Sequence, residues 1–375
     1  MARPVEAAVP LLGKALTDEH RQVRWLAENA LSRLGQELTA EEAATLEAHV
    51  GNGPHELAFR ILLLAYYIPG QRKSETSQTA RQRHLLWLIQ NAPASSTAGT
   101  PVASILKKPN PLQYEEAKQL WLKQVELHSD NPQVLGNAAR FFTLNDAKQC
   151  ESLLQQAQVL EPQNPEWPRR LAHLYSLQVA RSPSDSPNFA QLALDTLKEA
   201  EALRELALDD EFLGDSPEML EANKIAQLME RERTLCDLAK AAVTADQFED
   251  AERYGNELLA LAESEEVPEF FREDSNATFY GHFVLGMCAL NCNEIEQAKQ
   301  HLLASATIQG SATLSSFGPN MSLAKGLLER GEHDVVLQFF DLCQAFWEMH
   351  DDRLHQWAEV VRQGNMPDFG PNLHY

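Results

Sequence analysis

The residues best suited to chemistry in this chain are thiols and imidazoles set close together: Cys288 and Cys292 lie four apart, with His282 and His301 nearby. Thiolate and imidazole at such spacings can hold a soft metal ion. A helix carrying both thiols would also be a packed one, and 38 residues on their counterparts are Gly326 and Arg330, so the pair reads as small buried hydrophobes. A second cluster, His350-Asp351-Asp352-His355, sets two imidazoles five apart around two carboxylates. Five residues turn a helix through about 500°, leaving the histidines about 140° apart and poorly placed to share one ion. An exposed helix start, its acidic residues favoured by the dipole, accounts for the cluster.

Other chemical signals are missing. Gly51-Asn52-Gly53 lacks the third glycine and the preceding strand of a dinucleotide loop. No phosphate loop, nucleophile elbow or His-Glu-x-x-His pair occurs. The sequons Asn276-Ala277-Thr278 and Asn320-Met321-Ser322 are short enough to arise by chance. No cofactor or metal is therefore expected, and catalysis has no support. Five cysteines, an odd number scattered through helical stretches, suit reduced thiols and a cytoplasmic location better than a disulfide framework. Pro4, Glu6, Pro10 and Lys14 interrupt the first segment, so no secretory signal is expected, and no apolar run is long enough to span a membrane.

A formal charge of −22 argues against general affinity for nucleic acid. The charge is uneven. Asp195 to Asp274 holds 24 acidic and 8 basic residues, whereas Pro69 to Asn110 carries Arg72, Lys73, Arg81, Arg83, Lys107 and Lys108 against Glu75 alone. A solvated acidic face and a basic loop explain this. The sharper alternative is that one end takes basic ligands, its own basic segment among them.

The elements that must position these residues are helical, because glycine is scarce while leucine, alanine, glutamate and glutamine abound. Apolar residues recur every three or four positions from Val5 to Leu16 and again from Val23 to Leu34. Asp18 ahead of Val23-Arg24, Ala27 and Ala30-Leu31 gives this hairpin, 5–35, a resemblance to a HEAT repeat. Thr39-Ala40-Glu41-Glu42 is a capping box, and Pro54 opens a helix through Phe59 to Ala65 that is apolar on most sides and should be central. Gln71 to Thr79 reads as a loop before a helix from Arg81 to Asn91, closing a helical N-terminal region of 1–91. Residues 92–111, with four prolines, read as an irregular linker. Pro217 to Val243 can be one long helix after a break at Asp209 to Ser216. Glu263 to Asp274 reads as an acidic linker, and 348–375 as a capping helix with a tail.

From 112 to 347 the chain repeats. Gly286, Asn293 and Ala298 answer to Ala324, Gly331 and Val336, each 38 residues later. The interval from one small residue to the next is 12 in four places: Ala138 to Cys150, Ala239 to Ala251, Gly286 to Ala298 and Ala324 to Val336. Antiparallel helices that cross closely leave room there only for small side chains. Seven residues further stand Ala157, Leu258, Ser305 and Cys343. Asn131-Pro132 and Asn164-Pro165, 33 apart, bound one hairpin; Ala172 to Ala193 spans a longer one with a loop around Ser182 to Pro187. Phe-Gly-Pro-Asn occurs at Phe317 to Asn320 and at Phe369 to Asn372, and reads as a turn anchored by a buried Phe or, at the end of the chain, as a docking tail.

The small-residue pattern and the proline boundaries resemble the tetratricopeptide repeat. Val134-Leu135-Gly136-Asn137-Ala138-Ala139, Leu160 to Trp167 and Ser316 to Asn320 resemble uncharacterised bacterial proteins of that superfamily. The resemblance implies an all-α solenoid of antiparallel helical hairpins that binds proteins or peptides on a concave surface, with no assigned reaction. Helix phase puts Asn137, Arg140, Arg169, Arg170, His173, His282, Phe283 and Lys325 on that surface as exposed side chains. Two alternatives stay open: a hydrolase or metal-dependent enzyme with its site between repeats, and a regulator touching nucleic acid through 69–110.

Overall fold

The computed structural model describes residues 4–51, 53, 55–68, 74–108, 110–182, 185–207, 217–264, 267–268 and 276–373. Among them all regular structure is helical: eighteen α-helices and three short 3-10 turns. The chain divides into two units, Met1–Leu174 and Tyr175–Tyr375, with the division inside the helix Glu166–Arg181. Pro54, Arg72, Lys73, the break at 209–216 and most of the acidic linker lie outside the described residues.

The first unit begins with α1 (Pro4–Ala15), α2 (Arg21–Gln36), α3 (Ala40–His49), α4 (Glu56–Tyr66) and α5 (Glu75–Asn91). Thr39 caps α3 through the reciprocal Thr39–Glu42 bonds of a capping box. Helix α4 is buried from Arg60 to Tyr66 on every side, as its continuous apolar run requires. Around it pack Val9, Ala27, Leu31 and Ala43 from the three preceding helices, with Leu16 and Leu38 from the turns between them. Gly35 is what lets α2 approach, since a Cβ there would strike the Leu62 carbonyl. Helix α5 starts at Glu75, earlier than the expected Arg81, because Ser74 accepts a bond from the Ser77 amide and caps an extra turn and a half of polar helix.

Inside that apolar core sits a polar chain. Arg60 donates to Glu56 (2.7 Å) and to Nδ1 of the fully buried His84 (3.0 Å), so the His84 proton lies on Nε2, which donates to Glu47 (2.8 Å). Tyr67 and Arg83 also reach Glu47, at 3.2 and 2.5 Å. Every member has a partner, which is what a buried network needs.

Residues 92–111 are less irregular than expected. They form two 3-10 turns, Ser96–Gly99 and Pro101–Ala103, and Ser95, Thr97, Ala98, Ala103 and Ile105 are buried. The cause is Glu28 on α2, a buried carboxylate that accepts from Ser95 Oγ (2.7 Å), Ser96 N (3.2 Å) and Oγ (2.8 Å), and Thr97 N (2.6 Å) and Oγ1 (2.7 Å). Five charge-assisted bonds fix the segment against the helical layer. Helices α6 (Pro111–Leu127), α7 (Pro132–Phe142), α8 (Ala147–Leu160) and α9 (Glu166–Arg181) follow.

The second unit contains α10 (Ser186–Ala207), α11 (Pro217–Thr244), α12 (Phe248–Glu263), α13 (Asn276–Asn291), α14 (Ile295–Ser305), α15 (Ala312–Phe317), α16 (Ser322–Leu328), α17 (His333–Cys343), α18 (Arg353–Arg362) and a 3-10 turn, Gly370–Leu373. The hairpins α11–α12, α13–α14 and α16–α17 turn the same way. Asp246, Asn293 and Gly331 hold left-handed φ of 55°, 61° and 84°, each seven residues past its crossing residue. The following amide reaches back five residues each time: Gln247 to Ala242, Glu294 to Ala289 and Glu332 to Leu327. These are Schellman ends. Every 12-residue pair, from Ala138 and Cys150 to Ala324 and Val336, is buried, and so are Ala157, Leu258, Ser305 and Cys343.

One repeat is broken. Where α13 is continuous, its counterpart splits into α15 and α16 at Gly318, whose φ of 84° and contact with the Trp347 ring exclude any side chain. Phe317 is 56% exposed rather than buried as expected, whereas Phe369 is buried against Phe340 and Trp357. The two Phe-Gly-Pro-Asn copies meet: Asn372 Nδ2 donates to the Phe317 and Pro319 carbonyls (3.0 and 3.1 Å), and its own carbonyl accepts from Met321 (2.8 Å). The closing segment, read as a possible docking tail, packs on its own chain as far as Leu373.

Candidate binding cleft

The pinned segment after α5 forms one wall of a cleft in the first unit. Arg81 holds that wall by donating to the carbonyls of Val102 (2.8 Å) and Ser104 (2.7 Å), and burial lowers the guanidinium's pKa. The opposite wall is the end of α7 and its turn, Arg140 to Asn145, and His173 from α9 completes it. Arg140 sits there because α7 turns its apolar stripe, Val134, Leu135, Ala138, Phe141 and Phe142, inward. Phe141 is held by Tyr114, stacked on it at 4.8 Å, and Lys107 lies 6.0 Å above the other ring.

The cleft encloses 220 Å³. Sites that engulf a small molecule run to about 300–1,000 Å³, so this one has room for a side chain. Its rim is apolar, with Leu106 52% and Leu144 49% exposed. Among the described residues, Arg140 and His173 are the titratable ones lining it, and no carboxylate or thiol does. The neighbouring Asp146 is spent on capping α8, where it accepts from the Gln149 amide. Close by, Arg170 donates to the Gly136 carbonyl (2.6 Å) and lies over the Trp167 ring. Burial lowers its pKa, opposed by Glu166 and Cys150 and assisted by Arg140.

The eight surface candidates scatter. Arg140 and His173 share this cleft. Asn137 is 1% exposed: it faces inward because its amide donates to the Pro93 and Ser95 carbonyls (both 2.8 Å), tying α7 to the pinned segment. Phe283 is 4% exposed, stacked on Phe279 in the core of the second unit. Both corrections have one cause: helix phase gives a stripe but not what covers it. Arg169 pairs with Glu166, and Lys325 lies 3.9 Å from Glu329. His282 meets His301, Nδ1 to Nδ1 at 3.1 Å. Residues 98–106, missed entirely as a wall, carried one signal, the run of hydroxyl residues Ser95 to Thr97 that can serve a buried acid.

The remaining clusters resolve locally. Cys288 is buried, its thiol directed at the Phe248 carbonyl (3.7 Å) and pushed up to about 11 by burial. Asp351 and Asp352 take left-handed φ at the exposed start of α18, and His350 Nδ1 accepts from the Asp352 amide. Among the described residues no group of three or more His, Cys, Asp or Glu is placed to hold a metal. In the basic segment, Arg81 is committed to the wall and Arg83 to Glu47, while Lys107 and Lys108 are exposed. Within the acidic stretch, Glu201, Glu230, Asp250 and Glu257 pair with arginines or with Lys198. Among the described residues no helix is long and apolar enough to cross a membrane. No family model, curated protein or solved structure matches this chain.

Proposed function

We propose that this chain is a protein-interaction scaffold of the tetratricopeptide type, a solenoid of hairpins that holds a peptide or helical segment of a partner without covalent chemistry. The observation that carries this reading is the cleft between the pinned segment and α7: an apolar socket of side-chain size, rimmed by Leu106 and Leu144 and charged by Arg140. Its ligand is an apolar side chain next to a carboxylate, since Arg140 lines the cleft and, among the described residues, no acid does. The regular hairpins support the architecture, because close crossings at a fixed interval let neighbours stack into a continuous core. A basic ligand, the expectation drawn from the acidic stretch, is favoured less, since several of its carboxylates already pair within the chain.

A random peptide library displayed on phage tests the proposal. Selection on the intact chain is expected to enrich apolar-acidic sequences that are lost when the bait carries Leu144→Glu. Failure to enrich any sequence family, or an identical family on the variant, would remove the cleft from the account.

A further inference from the structure

Each hairpin has one position four residues before its first crossing residue and one three after its second. In the other three hairpins these positions hold Val134 and Leu153, Leu235 and Tyr254, and Asn320 and Phe339, all buried and none able to pair as two imidazoles do. In α13–α14 the same positions hold His282 and His301, half-buried, with Nδ1 atoms 3.1 Å apart and ring centroids 5.3 Å apart.

We propose that His282 and His301 form a two-histidine site for a divalent transition-metal ion of the zinc and copper class, bound through both Nδ1 atoms, with water completing the coordination. Metal–imidazole bonds of about 2.0–2.1 Å put two nitrogens about 2.9 Å apart when cis on a square plane and about 3.3 Å apart in a tetrahedron. The observed separation falls between the two. Burial lowers the pKa of both rings, so neither must lose a proton to bind at neutral pH. In the metal-free pair one Nδ1 donates its hydrogen to the other. On metal binding that hydrogen is replaced by one on the same ring's Nε2, exchanged through water, so no net proton is released. Gly286, one turn along α13, makes the room: a Cβ there would lie 3.2 Å from that of His301. Among the described residues no third ligand joins them, so the ion should be held less firmly than a closed structural zinc and yield to a chelator.

The test uses the full chain without an affinity tag and with Cys292→Ser to remove the exposed thiol. Calorimetric titration with Zn2+ is expected to show one equivalent bound, and the Cu2+ electron paramagnetic spectrum is expected to show two coordinating nitrogens. His282→Asn and His301→Phe install the residues that the next hairpin carries at these positions, and should keep the helical circular dichroism while abolishing uptake. Absent uptake by the parent chain, or uptake undiminished in the folded variants, would overturn the site. Should either variant fail to fold, the nitrogen count in the parent spectrum decides, and fewer than two contradicts the proposal.

Discussion

Gly255 on α12 and Gly281 on α13 face each other where the two helices cross, and each lies under a leucine from the opposite helix. A Cβ at Gly281 would sit 2.7 Å from Leu259 Cδ2 and 3.1 Å from the Gly255 carbonyl, while one at Gly255 would sit 3.1 Å from Leu285 Cγ. Each leucine stands four residues after a glycine of its own helix, so the crossing is reciprocal. This close approach extends the second unit's packing from one hairpin to the next.

Gly281→Ala measures that approach. Overpacking costs about 1–3 kcal/mol, and the better helix propensity of alanine returns about 1 kcal/mol. A net loss of about 1 kcal/mol is expected in urea unfolding followed by circular dichroism. A gain would mean that α12 and α13 separate without cost.

Glu28→Ala tests the pinned segment. It strips five bonds from one carboxylate and leaves the buried Ser95 and Thr97 hydroxyls without their acceptor. A loss of about 3 kcal/mol is expected by the same measurement. Unchanged stability would show that the wall stands without the acid.

These two sites show what the sequence made legible. A close helix crossing is a local demand met by one small residue on each helix, so the 12-residue interval could be read directly and every such pair is buried. The joining of Glu28 to Ser95 spans 67 residues and follows no period, so nothing nearby announced it. The same gap hid Asn137, whose side chain the pinned segment covers. The Gly318-Pro319 break was visible as chemistry, but its partner, Asn372 from the second copy of the motif, was not. His282 and His301 were legible as nearby ligands, and only the hairpin shows that they meet without the cysteines.

His84 predicts an acid-sensitive first unit. Burial lowers its pKa, with Arg60 and Arg83 pushing the same way against Glu47, so the folded protein holds it neutral. Below the unfolded value of about 6.5 the unfolded chain binds the extra proton, and stability falls with pH until the folded value is reached. Between pH 7.5 and 5 the urea midpoint of the parent chain should drop more steeply than that of His84→Gln. The lowered pKa values of His282 and His301 act in the same direction in both proteins. Parallel slopes would contradict the assignment of a neutral His84.

Asn372→Ala opens the contact between the two motif copies. It removes both Nδ2 donors from the Phe317 and Pro319 carbonyls, one of them in a buried contact. A loss of about 1–3 kcal/mol is expected. It should appear as faster hydrogen exchange at the Met321 amide, which the Asn372 carbonyl accepts. Unaltered exchange there would mean that the closing segment holds without its side chain.

On the proposed function, the cleft of Arg140, Phe141 and Leu144 receives an apolar-acidic segment of a partner. The most direct measurement is the affinity of one peptide selected on the parent chain, titrated against that chain and against Arg140→Glu, whose exposed side chain can change without disturbing the core. Charge reversal is expected to weaken binding at least tenfold, and added salt to weaken the parent complex. Equal affinity for the two proteins would contradict the cleft as the binding site.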